Sequence, residues 1–414
     1  MIFSRLCRAQ FPARVLSQSS TIVLTKANMS TIPPPKILTE QPNIPDKQLF
    51  GPGPSNMPDE IRSSMNAPLL GHLHGEFTKI MDDVREGIKY LFQTNNRLTF
   101  AISGTGHAGM EVAVMNLLEP GESFLVVKNG IWGLRAANLG KRLSLDVHVL
   151  EVPEGQVATL DQFTAAVKEH KPKVVFICQG ESSTGVAHPL EGYADVAHAN
   201  GALLLVDTVA SIGGAPFEQD KLGVDVVYTA TQKVLNAPPG LAPISFSAKA
   251  EEKIRSRKTP VVSFYFDALE LGNYWGCFDE PRRYHHTGMV SMVYSLRAAL
   301  AAIAKEGVEK EIARHQENAI FFYKELQNAG FEPFVANKSI RLPCLTTVKV
   351  PEGVDWKIVA DKLMAQKIEI AGGLGPTLGK IWRIGTFGVN SNQDKIKKVV
   401  AALKEATEQA KAKI

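Results

Sequence analysis

The chain has 414 residues, 44% hydrophobic and 21% charged, enough to bury a large core and in the range of a globular protein of two lobes. No apolar run reaches the roughly 18–20 residues that a membrane-spanning helix needs. The formal charge of +4 comes entirely from residues 1–28, which hold Arg5, Arg8, Arg14 and Lys26 and no acid; 46 basic residues less these four leaves 42, equal to the 42 acidic residues. The body is therefore neutral and carries no electrostatic footprint for nucleic acid.

Residues 1–28 are Arg-bearing, Ser/Thr-rich and acid-free, the composition of a mitochondrial transit peptide, and are set aside from the fold. Met29 could serve as a second start and yield a leaderless form. At the other end, Ala412-Lys413-Ile414 is reminiscent of a peroxisomal tripeptide but lacks its terminal Leu. Cys7, Cys178, Cys277 and Cys344 are widely spaced and form no CxxC, which points to a reducing compartment rather than a disulfide framework or a zinc cluster.

Residues 29–50 are proline-rich, with Pro33-Pro34-Pro35 and no helical period, and are expected to be an extended arm outside the core. The stretch "EFTKIMDDVREGIKYLFQT" puts Phe77, Ile80, Met81, Val84, Ile88, Leu91 and Phe92 at helical spacing. Short apolar runs then alternate with helical segments: "LTFAIS", "SFLVV", "DVHVLEV", "KVVFICQ", "ALLLVD", "DVVYTAT" and "APISFS". Several are apolar throughout, as strands covered on both faces must be. The alternation predicts an α/β sandwich with a parallel or mixed sheet over residues 51–305. A long helical stretch then leads into a smaller C-terminal α+β domain, residues 306–414, with strands at "TTVKV", "IEIAGG" and "WRIGTFG" and helices at "DWKIVADKLMAQ" and the last twenty or so residues.

Three polar features interrupt the apolar runs. Ser103-Gly104-Thr105-Gly106-His107 joins a strand to a helix, where glycines let the backbone approach an anion and free N–H groups can bind phosphate. No strand-linked acid follows at the distance a dinucleotide site needs, and the loop is not GxxxxGK[ST], so neither nucleotide fingerprint fits. Asp207 ends a fully apolar strand, either as a helix cap or as the counter-charge of a cationic ligand atom. Lys233 stands among small, hydroxyl and apolar residues, where desolvation disfavours its charged form. A neutral amine there would be a nucleophile for carbonyls; the plainer alternative is a paired or outward-reaching lysine. A phosphate cradle, a buried Asp and an imine-forming Lys are jointly the parts that hold pyridoxal phosphate. Trp132 could stack on the face of such a ring or simply fill the core.

At these residues the sequence resembles the class V group of fold-type I pyridoxal-phosphate enzymes, and within it the alanine–glyoxylate and serine–pyruvate aminotransferases. The likeness runs from about Pro45 to the C-terminal helix. Its matching stretches include "GPGPSN", "SGTGHAGMEVA", "NGIWG", "GESSTGVAHPLEG", "LLLVDTVASIGG", "QKVLNAPPG", "NYWGCFDEPRRYHHT" and "GGLGPTLGKIWRIG". The resemblance implies a large three-layer α/β domain with a mainly parallel sheet and a smaller C-terminal domain. It implies Lys233 as imine former and proton shuttle, Asp207 on the pyridine nitrogen and Trp132 on the ring face. Thr105, Gly106, His107 and Gln232 would contact the phosphate, and Ser182 the neighbourhood of the ring oxygen. Tyr284 and Thr287 would reach the phosphate from a partner subunit, so a homodimer with shared sites is implied, with the Pro-rich arm over the partner. Arg383 would clamp the substrate carboxylate with its planar fork, and Gly51 would leave room for a small ligand.

The phosphate loop of relatives often has Ser where Thr105 stands, which keeps the hydroxyl. Insect relatives acting on 3-hydroxykynurenine carry a Ser-Asn pair where this chain has Gly71-His72-Leu73, which favours small substrates. The expected reaction is transfer of the amino group of L-alanine to glyoxylate, giving pyruvate and glycine. L-Serine is a plausible second donor, and a serine–pyruvate or 3-hydroxykynurenine transaminase is the alternative. A cysteine desulfurase would need a nucleophilic Cys on a mobile loop, whereas Cys344 sits where a strand should begin.

Overall fold

The computed structural model describes residues 32–411; the transit-peptide and C-terminal tripeptide readings fall on residues outside these. The chain divides after Pro45 into two units. In the first, residues 32–45 carry one 3-10 turn, Lys36–Leu38.

The second unit is built on a seven-stranded sheet. Its strands are β1 (Leu98–Ser103), β2 (Ser123–Lys128), β3 (Asp146–Glu151), β4 (Val174–Cys178), β5 (Leu203–Asp207), β6 (Val226–Tyr228) and β7 (Leu241–Phe246). They lie in the order β1-β7-β6-β5-β4-β2-β3. Only β7 runs against its neighbours; the remaining pairs are parallel. Every residue of β1, β4 and β7 is buried, which is why these strands read as largely apolar runs; Thr99 of β1 and Ser245 of β7 are polar exceptions whose hydroxyls bond to each other at 2.9 Å. Helices α1 (Gly75–Phe92), α2 (Gly106–Leu117) and α3 (Ile131–Arg142) pack on this sheet. In α1 the residues at helical spacing, Phe77, Met81, Val84, Ile88, Leu91 and Phe92, are those that are buried. Among the described residues no helix is long and apolar enough to cross a membrane.

The long helical stretch near residue 300 is two helices, α4 (Val290–Glu306) and α5 (Val308–Asn328), separated by Gly307 at φ +91°, a conformation that ends a helix and suits glycine. Beyond them lies a three-stranded antiparallel sheet of β8 (Leu345–Lys349), β9 (Ala371–Gly372) and β10 (Ile381–Gly385), with β10 in the middle. Helices α6 (Trp356–Ala365) and α7 (Gln393–Lys411) complete this part.

Three expectations need correction. The end of the stretch read as an arm outside the core is part of it: Gln48–Leu49 pairs in parallel with Ile368–Glu369. Phe50 is fully buried in a cluster with Phe322, Trp382, Ile384 and Leu403, a burial that stabilises by about 2–3 kcal/mol. One aromatic in a proline-rich stretch has no period to betray it. Next, "IEIAGG" is not one strand: Ile368–Glu369 pairs with the arm end and Ala371–Gly372 with β10. Finally, β6 stops at Tyr228, not Thr231. The Thr231 hydroxyl donates to Pro238 O at 2.6 Å, so a β-branched residue that reads as strand instead closes the turn after it.

Candidate active site

The parallel strands deliver their carboxyl ends to one edge of the sheet, the edge at which open α/β sheets collect ligands. Five segments leave that edge and line a cavity of about 260 Å³. Thr105, Gly106 and His107 follow β1, Trp132 follows β2, Gly180 and Ser182 follow β4, Asp207 ends β5 with Val209 and Ala210 just beyond it, and Gln232 and Lys233 follow β6. Eight residues singled out from the sequence are thus brought together: Thr105, Gly106, His107, Trp132, Ser182, Asp207, Gln232 and Lys233.

Thr105 is the extended residue before α2, so the N–H groups of Gly106 and His107 open the helix with no preceding turn to accept from them. A side chain on Gly106 would press on Val209 at 3.0 Å and Ala230 at 3.2 Å; glycine keeps the helix start against the cavity wall. Asp207 is buried, and burial pushes its carboxyl up to about 6, against the Tyr228 hydroxyl and the Val209 N–H that donate to it. Those bonds are 2.6 Å to Oδ2 and 2.8 Å to Oδ1. The geometry keeps both descriptions of Asp207 in play: it caps the turn that follows it, and it presents a carboxylate to the cavity.

Lys233 lies on the turn after β6, not at a strand end. Its amine is lowered to about 8, first by burial and then by the charge of Arg383, with Asp207 acting in the opposite sense. Its Nζ donates to the Pro52 carbonyl and sits 5.5 Å from the Phe387 ring centre. Trp132 and Ser182 meet each other: the indole N–H donates to Ser182 Oγ at 2.8 Å, and the ring stands edge-on to His107.

The other sequence candidates lie outside the cavity lining. Arg383, on β10, is buried and its Nε donates to Gly372 O at 2.7 Å, yet its charge acts on Lys233. Gly51 is buried beside Glu369, whose Oε1 would be 3.7 Å from an added Cβ. Tyr284 is 60% exposed, its ring 5.7 Å from that of His72, and Thr287 is exposed. Cys344 is buried, its thiol donating to Ala210 O at 2.8 Å and pushed up to about 12 chiefly by burial; it is no nucleophile.

Sequence reasoning missed Tyr228, which reads as a core aromatic but stands opposite Asp207 in the sheet register. It also missed Glu181. This buried carboxylate, pushed up to about 7 by burial, accepts from the backbone N–H groups of Ser183 and Trp132 at 2.9 and 3.0 Å and so fixes the start of α3. Gly53 was missed too: at φ +110°, an added Cβ would fall on the Lys233 side chain.

The description "Aminotransferase class-V" matches residues 57–399. The chain belongs to the class-V aminotransferases. An alanine–glyoxylate aminotransferase of Felis catus is 47% identical over 376 residues, covering 91% of each chain. One of Drosophila melanogaster is 44% identical over 382 residues, covering 92% of this chain and 97% of its own. The crystal structure of an alanine–glyoxylate aminotransferase from Nostoc sp. superposes with a TM-score of 0.87 at 39% identity, over 91% of this chain and all of the other. The architecture is that of fold-type I aminotransferases, a family that depends on pyridoxal phosphate. The cavity fits that group on its own terms: an unpaired helix start for a phosphate, an amine of lowered basicity for an aldehyde, and a buried carboxylate for a ring N–H. Among the described residues the Gln232 side-chain oxygen, also buried, has no hydrogen-bond partner, unspent capacity of the kind a bound polar group takes up.

Proposed function

We propose that this aminotransferase moves the amino group of L-alanine to glyoxylate, giving pyruvate and glycine, in a ping-pong cycle with pyridoxal 5′-phosphate. The observation that carries the reading is the confrontation of Lys233 and Asp207 across one cavity, in a chain 44–47% identical to alanine–glyoxylate aminotransferases over most of its length. The cofactor supplies an aldehyde carbon that captures the amino group and a ring that accepts the electron pair released at the substrate Cα.

The residues of the chain do the rest. At about 8, roughly a tenth of the Lys233 amine is neutral at pH 7, against about one part in 3,000 for an ordinary lysine. It can therefore attack a carbonyl, and it would take up and return the proton at the substrate Cα. Asp207, ionised at neutral pH and held by Tyr228 and Val209, keeps the ring nitrogen protonated. Thr105, Gly106, His107 and Gln232 hold the phosphate, Trp132 covers the ring and Ser182 orients its oxygen side. Arg383 grips the substrate carboxylate, and Gly51 leaves space for a small side chain.

The reading extends to a homodimer in which Tyr284 and Thr287 complete the partner's phosphate site and the Pro-rich arm lies over the partner. Its support is a run of exposed apolar and aromatic side chains, Val262, Phe264, Tyr265 and Tyr284, the kind of surface that subunits cover. Residues 51–305 and 306–414 are taken as its two domains. Delivery to the mitochondrion by residues 1–28, or to the peroxisome in a form starting at Met29, completes it. The test of the reaction is a matrix of L-alanine, L-serine and 3-hydroxykynurenine as donors against glyoxylate, pyruvate and 2-oxoglutarate. L-Alanine with glyoxylate should be fastest, with L-serine as second donor; a preference for 2-oxoglutarate would overturn the reading.

A further inference from the structure

Asn236 lies three residues past Lys233, where three chain segments converge. Its backbone holds φ +52°, a conformation that Asn tolerates better than most residues, and its side chain is buried. The amide N–H₂ donates to Ser55 Oγ at 2.8 Å, to Phe387 O at 3.3 Å and to Lys233 O at 3.4 Å. The amide oxygen accepts from Val389 N at 2.8 Å. Ser55 in turn donates its hydroxyl to Lys233 O at 2.6 Å and its N–H to Gln232 O at 2.9 Å. One side chain thus joins the Lys233 turn, the Gly51–Ser55 loop and the segment that follows Arg383 on β10. Gly388 makes room for it: at φ +53°, an added Cβ would land on the Asn236 amide. From the far side, Gly388 N donates to His315 Nε2 at 3.0 Å and Arg314 Nη1 donates to Gly388 O at 2.9 Å. The segment is therefore clamped between α5 and Asn236.

We propose that Asn236 is a positioning residue for transamination: it fixes Lys233 relative to Arg383, and so sets how well one substrate can offer its carboxylate to the arginine and its amino group to the lysine. The proposal rests on the functional reading above. Neither of its nearest relatives serves. Asp would lose both donors and face the Lys233 and Phe387 carbonyls with a charge, and a longer amide would not fit beneath Gly388.

Asn236→Gly tests it, since glycine keeps the positive φ and removes only the side chain. In the holoenzyme, KM for L-alanine and for glyoxylate should rise about tenfold with kcat within about threefold, the signature of lost binding alignment. A second readout needs no turnover. In the cofactor-free protein, trinitrophenylation of Lys233 is followed against pH by peptide mass spectrometry. The ionisable groups acting on this amine are Arg383, Asp207 and the Cys344 thiol. Asn236→Gly should raise the midpoint when Arg383 is present and leave it unchanged in an Arg383→Gln background. A lower Tm with unchanged KM, or a midpoint shift equal in both backgrounds, would reduce Asn236 to a seal and overturn the proposal. Because the titration does not depend on any transaminase assay, its outcome stands even if the substrates prove wrong.

Discussion

Two regions of this molecule bury ionisable groups, and they use them in opposite ways. On α5, Glu311 is buried and pushed up by that burial, but Arg314 donates to it at 2.5 Å and to Glu306 at 2.8 Å. Arg314 also donates to the carbonyls of Gly388 and Ser391. His315, fully buried, donates to Glu311 O at 2.8 Å and accepts from Gly388 N. The bonding capacity of this cluster is spent within the protein. In the cavity, Lys233 has one carbonyl partner and Asp207 meets no cation by hydrogen bond. A displaced titration is thus no mark of a site by itself; displaced groups with unspent bonds facing a cavity are. The first cluster is bound up in the fold, and the second turns its unspent bonding capacity towards a cavity.

The largest separation between the two regions should come from deleting their cations. Lys233→Ala is expected to lower kcat/KM by about 10³-fold or more, since it removes nucleophile and proton carrier together. The Tm of the cofactor-free protein should not fall, because a buried and poorly paired ammonium is a liability to stability. Arg314→Met should do the reverse. It leaves Glu311 buried without its partner and should destabilise by about 3–5 kcal/mol, read by denaturant titration. Molecules that stay folded should lose far less activity than Lys233→Ala does. If Lys233→Ala unfolded the protein and Arg314→Met did not, the division of roles would be reversed.

A smaller effect lies in pH. The Lys233 amine is lowered in the folded protein to about 8 from its ordinary 10.5, so between those values the unfolded chain binds more protons than the folded one. Stability of the cofactor-free protein is reduced by about 3 kcal/mol below pH 8 and regains it as pH rises towards 10.5. His315, lowered by burial from 6.5 to about 4, behaves alike in another window: stability is full above pH 6.5 and falls progressively as pH drops towards 4. Lys233→Met should abolish the alkaline gain and leave the acid loss intact. Loss of both limbs in that variant would mean that the two regions unfold as one titrating system.

How much of this could be read from the sequence follows from which residues declare themselves. β1, β4 and β7 were legible because a strand covered on both faces is apolar at most positions, whichever face they point to. Asp207 and Lys233 were legible for the converse reason, as charges at the borders of such runs. Phe50 and Asn236 were not, because one core aromatic in a proline-rich stretch and one turn asparagine look ordinary until distant segments close on them. Arg383 was found by family likeness alone; nothing in its own strand separates a substrate clamp from an ion pair. The strand end lost at Thr231 and the split at Ile370 have different causes: at Thr231 a local turn bond to Pro238 O overrides β preference, and at Ile370 distant partners on either side do.

Tyr228 gives the finest test of the contrast. Its hydroxyl makes the hydrogen bond by which Asp207 resembles, in miniature, the paired Glu311 on α5. Removing it by Tyr228→Phe leaves the Val209 N–H as the remaining donor to Asp207. A hydrogen bond to a charged group contributes about 1.5 kcal/mol, or roughly one pK unit, so the carboxyl should move up from about 6. At neutral pH more of it would be protonated and unable to hold the ring nitrogen's proton. The acid limb of kcat/KM should then shift about one unit to higher pH, giving up to about a tenfold loss on that limb and a plateau close to wild type above it. A uniform drop at all pH values, with the limb unmoved, would show that Tyr228 serves packing and that Asp207 owes its ionisation to other neighbours.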